Sequence, residues 1–426
     1  MKKRLFLQFA VFALSAALLC GCQKDQFDYV NTTVANPNES KLPWANSGAF
    51  TYTPSEDGVD NVINWSHSEE MYLSGGSLYL YGHYRAVRYD PVTGRQTQLC
   101  TDPVCTHQRG TDCPLAFMDS GMGFSVVDDK VIFYEQKPIR GDKGYDMNYD
   151  LYLYSTTNRT AKLLRTFQSD TVSSVITLSD AYFFLDIVHD PKTDTYTYSL
   201  CRQAYDSNQV EVLRTENNHN TYLLGTDGAI IYVFDKAQSV LIGLSIDGKT
   251  EVSRVTVEGA KWWHSAAICK DGYLLYLVDG ELWRVNLDGS DRRSLGIKDV
   301  EYCYLTDSYV YYQKKVGEKE FTDAESPGET LKADLIEIYR ADHQGQNATV
   351  VYQNDSNSVI VTPENYIMQG NYLYAPFMYY EINGDQASGT YSRGALTDEQ
   401  SRAYCRIDLT TNEIYYIDTE VFEVAK

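Results

Sequence analysis

Asp271-Gly272-Tyr273-Leu274-Leu275-Tyr276-Leu277, followed by Glu281-Leu282-Trp283-Arg284-Val285-Asn286-Leu287-Asp288-Gly289-Ser290, is the stretch that decides the fold. Apolar and polar residues alternate with a period of two, and Asp-Gly pairs punctuate the runs. That combination is the signature of hairpins with tight turns, because type I′ geometry needs positive φ at its central residues. The stretch reads as a first strand, a tight turn, second and third strands, an Asp-Gly turn and a fourth strand ending near Leu295.

The same unit recurs along the chain. Second-strand counterparts fall at 78–81, 131–134, 182–185, 230–233, 310–312 and 372–374, and third-strand counterparts at 86–90, 151–155, 199–203, 242–246, 338–342 and 404–408. Seven units of roughly 40 to 65 residues match the spacing of propeller blades with added loops. Closing seven four-stranded antiparallel blades into a ring removes long exposed sheet edges. An all-β, seven-bladed β-propeller is therefore expected over residues 48–426, with an array of β-sandwiches as the alternative. Composition agrees. The 426 residues include 36 Tyr and are 13% aromatic, which excludes a disordered chain and disfavours a helical bundle. A net charge of −21 makes nucleic acid a poor partner.

The N-terminus carries an address. Lys2, Lys3 and Arg4 precede an apolar run from Leu5 to Leu19, the pattern of a secretory signal. The run ends Leu19-Cys20-Gly21-Cys22, which resembles the bacterial lipobox. That resemblance implies cleavage after residue 21 and a lipid on Cys22, anchoring the chain outside the cytoplasm on the bacterial cell membrane. Residues 22–47, rich in Asn, Ser, Thr and Pro without hydrophobic periodicity, read as the lipidated Cys and a flexible tether.

The run 282–292 is similar to the propeller repeat of low-density-lipoprotein-receptor-type proteins, although the Tyr-Trp-Thr-Asp tetrad of that family is absent. Lipobox, tether and Tyr-rich blades together resemble uncharacterised propeller lipoproteins of clostridia-like bacteria. The resemblance spans residues 70–420 at the level of repeats, supports the fold and implies no activity.

Long segments fall at 136–149, 314–334 and 381–402, in blades 2, 6 and 7. All lie between second and third strands or at blade crossings, which share one face of a propeller. Blades 6, 7, 1 and 2 are neighbours in the ring, so the segments gather on one arc. Long loops are commonly functional, and they are also tolerated as surface insertions.

The crossing from blade 1 to blade 2 holds Cys100, Cys105, His107 and Cys113. Three Cys and one His match the ligand count of a closed tetrahedral zinc site, so one structural Zn²⁺ is the cofactor this set implies. A disulfide involving Cys105 is the competing reading, since secreted chains oxidise; redox use is a third. A Cys-Asp-Pro-x-Cys-x-His stretch is also a feature of the clostridial lipoproteins, with a Thr added here between Cys100 and Asp102. Cys201, Cys269, Cys303 and Cys405 read instead as small buried hydrophobes on strands.

No Gly-x-Ser-x-Gly elbow, phosphate-binding Gly loop or His-Glu-x-x-His motif is present in the sequence. Trp262 and Trp263, at the crossing into blade 5, offer faces that stack on a sugar, or else pack between blades. Tyr145, Tyr149, Tyr379, Tyr380 and Tyr391 lie in or beside the long segments and are candidate contacts, with ordinary packing as their alternative. The expectation is a monomeric, lipid-anchored, non-catalytic propeller that recognises a protein or glycan on its loop-rich face. The alternatives are a polysaccharide hydrolase or lyase with carboxylates at the central channel, and a metal or redox sensor built on Cys100 to Cys113.

Overall fold

The computed structural model describes residues 40–41, 62–65, 71–74, 77–82, 85–90, 96–100, 113, 115, 124–141, 144–168, 175–190, 192–193, 195–216, 221–260, 266–323, 330–354, 359–363, 365–382, 390–393, 404–411 and 413–417. Among them no α-helix occurs, and no helix is long and apolar enough to cross a membrane.

Two short strands precede the blades, β1 (Ser40–Lys41) and β2 (Val62–Trp65). Blade 1 is β3 (Met71–Ser74), β4 (Ser77–Gly82), β5 (Arg85–Tyr89) and β6 (Gln96–Gln98). Blade 2 is β7 (Phe124–Val127), β8 (Lys130–Gly141), β9 (Gly144–Ser155) and β10 (Thr160–Gln168). Blade 3 follows as β11 (Ile176–Thr177), β12 (Ala181–Asp190), β13 (Thr195–Ala204) and β14 (Val210–Glu216). Blade 4 is β15 (Thr221–Thr226), β16 (Ile230–Asp235), β17 (Val240–Ser245) and β18 (Glu251–Thr256). Blade 5 is β19 (Ala266–Cys269), β20 (Tyr273–Val278), β21 (Glu281–Asn286) and β22 (Arg293–Ser294). Blade 6 is β23 (Val300–Leu305), β24 (Tyr309–Asp323), β25 (Thr330–Asp342) and β26 (Thr349–Gln353). The crossing strand β27 (Val359–Pro363) leads to blade 7, made of β28 (Ile367–Gln369), β29 (Tyr372–Ile382), β31 (Tyr404–Asp408) and β32 (Glu413–Ile417), with β30 (Thr390–Arg393) between β29 and β31.

Within every blade consecutive strands pair antiparallel, giving the seven-bladed propeller expected from the repeats. Each second and third strand read from the sequence falls on an observed strand, to within a residue at the ends. The period-2 pattern works here because both faces of a blade pack on neighbouring blades.

The core is a series of inter-blade clusters rather than one central mass. Leu224, Tyr232, Leu274 and Tyr276 pack blade 4 on blade 5, for example, and Phe183, Leu200, Ile231 and Ile242 pack blade 3 on blade 4. Tyr suits these interfaces because its ring is large and apolar and its hydroxyl reaches a backbone partner. Tyr302 of blade 6 donates to Tyr366 O at the entry to blade 7 at 3.0 Å, and Tyr154 of blade 2 donates to Cys100 Sγ at 3.8 Å. Cys201, Cys269, Cys303 and Cys405 are all buried, as their strand positions led one to expect.

Blades 7 and 1 close the ring by packing, each blade keeping its four consecutive strands. Tyr89 of blade 1 meets Tyr374 of blade 7 edge-to-face, with centroids 5.8 Å apart, inside a cluster that also contains Leu78, Leu80, Leu373 and Ile407. Ser40 and Lys41, within the segment read as tether, pair as β1 with Tyr416 and Tyr415 on the outer strand of blade 7.

Strand β2 occupies an unexpected place. It pairs antiparallel with β19, the innermost strand of blade 5, on the edge that faces the central channel. There it also touches the inner strands of blades 4 and 6. Asn64 Nδ2 donates to Leu305 O at 2.7 Å and Asn64 Oδ1 accepts from Leu305 N at 2.7 Å, so one side chain satisfies a backbone unit of β23. Gly225 lets Ile63 approach blade 4, since a Cβ there would sit 2.7 Å from Ile63 Cγ2.

Candidate functional site

Where they are described, the long segments expected as loops are strand. Residues 136–149 belong to the β8–β9 hairpin, paired from Lys130↔Ser155 out to Gly141↔Gly144. Residues 314–334 continue β24 and β25 as a ribbon paired out to Thr322↔Thr330. In blade 7, β29 runs on to Ile382 and β30 pairs back with it through Tyr380↔Arg393 and Ile382↔Tyr391. The sequence expectation is corrected accordingly: the face carries projecting hairpins rather than irregular loops along these stretches. Charged residues interrupt the apolar alternation of these ribbons, which is why the strands read as loops.

The blade 6 and blade 7 ribbons join. β30 runs parallel to β24, with Thr322↔Thr390 and Asp323↔Tyr391 in register, so blades 6 and 7 share one mixed sheet above the disk. The crossing strand β27 extends it on the far side, pairing Val359↔Glu381 through Pro363↔Phe377. Val316 forms a bulge between Lys315 and Gly317 that bends the blade 6 ribbon, a usual means of re-aiming a strand.

Charge laces that ribbon. Lys315 Nζ lies 2.6 Å from Glu318 and 2.7 Å from Asp334, and Lys332 Nζ lies 2.8 Å from Glu320. Asp334, then Glu318, hold the Lys315 ammonium above its ordinary pKa, so it stays charged throughout the physiological range. Exposed pairs of this kind add little stability. Their value is in keeping a projecting strand edge from pairing with other chains.

The blade 2 hairpin is built around a half-buried cation. Lys137 Nζ sits 2.7 Å from Asp150 and 3.3 Å from Glu135, donates to Tyr152 OH at 2.9 Å, and lies over the Tyr152 ring. Asp150 is the main reason its pKa is raised.

Candidate contact residues divide by place. Tyr379 and Tyr380 lie on β29 opposite Val361 and Ile360 of β27, and Tyr391 lies on β30 between Ile382 and Asp323. These three backbone positions therefore converge on the joined sheet. Tyr145 pairs with Arg140 near the tip of the blade 2 hairpin. Tyr149 is half-buried against the blade 2–blade 3 core, so packing accounts for much of its ring. Trp262 and Trp263 lie outside the described residues, as do Cys22, Cys105 and His107.

Cys100 and Cys113 are both buried in the cluster that joins blades 1 and 2, beside Leu99, Leu115 and Tyr154. Both ends of the Cys/His stretch are thus fixed in one core. Among the described residues no group of three metal-ligating side chains occurs.

Among the described residues the inner strands of the channel carry a single carboxylate, Glu301, and β2 stands inside it. The tight turns of the opposite face place Asp129, Asp180, Asp227, Asp271 and Asp307 around the rim. Several of these close their own turns, as Asp227 does by accepting from Ala229 N and Ile230 N.

Fold and face together define a seven-bladed β-propeller with a hairpin-built upper surface. No family model and no curated protein matches the sequence. Solved structures resemble it at a distance. An oligogalacturonate lyase in complex with manganese is 12% identical, over 91% of this chain and 100% of its own, with a TM-score of 0.31. Dipeptidyl peptidase 4 of Porphyromonas gingivalis is 10% identical over 83% of this chain and 63% of its own, at 0.40. The β-propeller domain of the trilobed protease from Pyrococcus furiosus is 10% identical over 71% of this chain and 95% of its own, at 0.39. Likeness this remote says nothing about what the chain binds or does.

Proposed function

We propose that the chain is a lipid-anchored, extracytoplasmic recognition protein, attached through Cys22 and related to the clostridia-like propeller lipoproteins it resembles. Without catalysing a reaction, it binds a protein or glycan on its hairpin-bearing face. The observation that carries this reading is the β24–β30 pairing. Tolerated insertions have no reason to hydrogen-bond to one another across blades, whereas a recognition surface gains from being held rigid before binding.

The test trims the blade 6 ribbon. Residues 319–333 are replaced by Asn-Gly, a turn that suits the flanking pair Glu318↔Asp334. Parent and trimmed chains are then compared on one panel of extracellular proteins and glycans. The trimmed chain is expected to melt within about 4 °C of the parent and to lose at least about tenfold in affinity, or 1.4 kcal/mol. Undiminished binding contradicts the reading, and turnover of any glycan by the parent replaces it with an enzymatic one.

Within the same proposal, Cys100, Cys105, His107 and Cys113 hold one structural Zn²⁺ that locks the blade 1–blade 2 crossing. Support comes from the donor set and from the shared burial of Cys100 and Cys113. Native mass spectrometry of protein purified without a metal column is expected to show an added zinc that acid removes. A metal-free mass lighter by two hydrogens means a disulfide instead.

A further inference from the structure

The ribbons of blades 6 and 7 leave the disk in the same sense, because β24 and β29 are both second strands and run from the tight turns toward the hairpin-bearing face. Where they meet, that sense is lost. Strand β30 is antiparallel to β29 and parallel to β24. At the junction β24 and β29 therefore run in opposite directions, so one ribbon arches over toward the other. Strand β27 pairs with the rising part of β29 and is the second support of this arch.

One side chain ties that support to blade 6. Strand β26 ends at Gln353, opposite Glu337, while its partner β25 extends past it to Thr330. Asn354 covers the edge that β26 leaves. Its backbone N–H donates to Ile336 O at 3.3 Å, its Oδ1 accepts from Ile336 N at 2.8 Å, and its Nδ2 donates to Asp334 O at 2.8 Å. The same Nδ2 donates to Thr362 Oγ1 of β27 at 2.9 Å. A backbone N–H can only donate and a carbonyl can only accept, so these partners fix the orientation of the amide.

Asn354 is wholly buried and Thr362 is buried beside it. Tyr352, two residues earlier, donates to Val361 O, and Ala333, Ile336, Val361 and Phe377 are buried around the junction. Hydrogen bonds thus run from β25 through Asn354 to β27, on to β29, β30 and β24, and back to β25. Four links of this circuit are strand ladders. The fifth, between β25 and β27, passes through the Asn354 side chain, and in a dry setting it is lost if either partner cannot bond.

We propose that Asn354 is a positioning residue of the recognition face: by joining β25 to β27 it closes the five-stranded circuit and fixes the arch that carries the backbone positions of Tyr379, Tyr380 and Tyr391. The purpose of the closure rests on the recognition reading, whereas the closure itself rests on geometry alone. A surface held in place before binding loses less freedom when its ligand arrives.

Native-state hydrogen exchange on the full chain, without any ligand, tests the closure. Thr362→Val keeps the shape of the side chain, removes the acceptor on β27 and leaves the bonds from Asn354 to β25 in place. The amides of 359–363, 379–382 and 390–393 are expected to exchange at least about tenfold faster in that variant, the effect of leaving one buried donor unmet. Those of 230–235 and 273–278 should not change. Thr362→Ser, which keeps the hydroxyl, should restore exchange to within about threefold of the parent. Asn354→Asp, which loses both donations, should show the same pattern more strongly, and Thr362→Val serves if it does not fold. Exchange that is alike in parent and Thr362→Val, or faster to the same degree in every blade, overturns the proposal. Each chain is then measured against the tightest binder of the parent on the panel of extracellular proteins and glycans. Affinity should fall at least about threefold in Thr362→Val and return in Thr362→Ser. If Thr362→Val binds as the parent does while the trimmed ribbon does not, the positioning role is overturned and the recognition reading stands. If the trimmed ribbon binds undiminished as well, the recognition reading fails with the role, and faster exchange in the arch then supports the closure alone.

Discussion

Replacing Tyr89 with alanine is expected to destabilise the propeller by about 3–5 kcal/mol, the range for removing a fully buried aromatic side chain. Tyr89 is wholly buried in the cluster that joins blade 1 to blade 7. The four strands of each terminal blade come from consecutive sequence, so closure rests on side-chain packing, with only the two-residue β1 added on the rim of blade 7. A cavity at this seam therefore weakens the one junction that no covalent link spans. Urea unfolding of the parent, Tyr89→Ala, Tyr374→Ala and the double variant measures it. The cycle should return a coupling of about 0.5–1.5 kcal/mol for the edge-to-face pair. A loss below about 1 kcal/mol for Tyr89→Ala would mean that blades 1 and 7 are not packed as described.

The second large effect is expected at Asn64. Asn64→Leu keeps the approximate volume and removes both bonds to Leu305, whose N–H and C=O then face the channel side without a partner. Leaving two buried backbone groups unsatisfied costs about 1–3 kcal/mol each, so a loss of about 2–5 kcal/mol follows. The same experiment reads the placement of β2, because an Asn on a loose tether would be replaceable at no cost. Denaturant midpoints that coincide for parent and Asn64→Leu would remove β2 from the channel.

How far the sequence disclosed this molecule differs by element. The blade strands were legible because short apolar, Tyr-rich runs such as those around Leu78, Tyr182, Ile231 and Leu274 recur at blade spacing, and because turns such as Asp271-Gly272 mark their ends. The blade 6 ribbon was not. Lys315, Glu318, Glu320 and Lys332 occupy its exposed side, and a charged Lys319 stands opposite the buried Ala333 on the other, so charge interrupts the apolar period and β24 beyond Lys314 reads as loop. Strand β2 left no local signal either. Val62-Ile63-Asn64-Trp65 is too short to show alternation, and its partner β19 begins 201 residues later, at Ala266 against Trp65. The clustering of long segments on one arc was readable from blade order, but the hydrogen bonds that join them were not.

Hydrogen exchange, with and without the tightest binder from the protein and glycan panel, tests the recognition face most directly. If blades 6 and 7 present the binding surface, the amides of 318–322, 330–334 and 390–393 gain protection on binding, and those of the tight turns at 128–129, 227–228 and 271–272 do not. Protection confined to those turns, on the opposite face of the disk, would contradict the account.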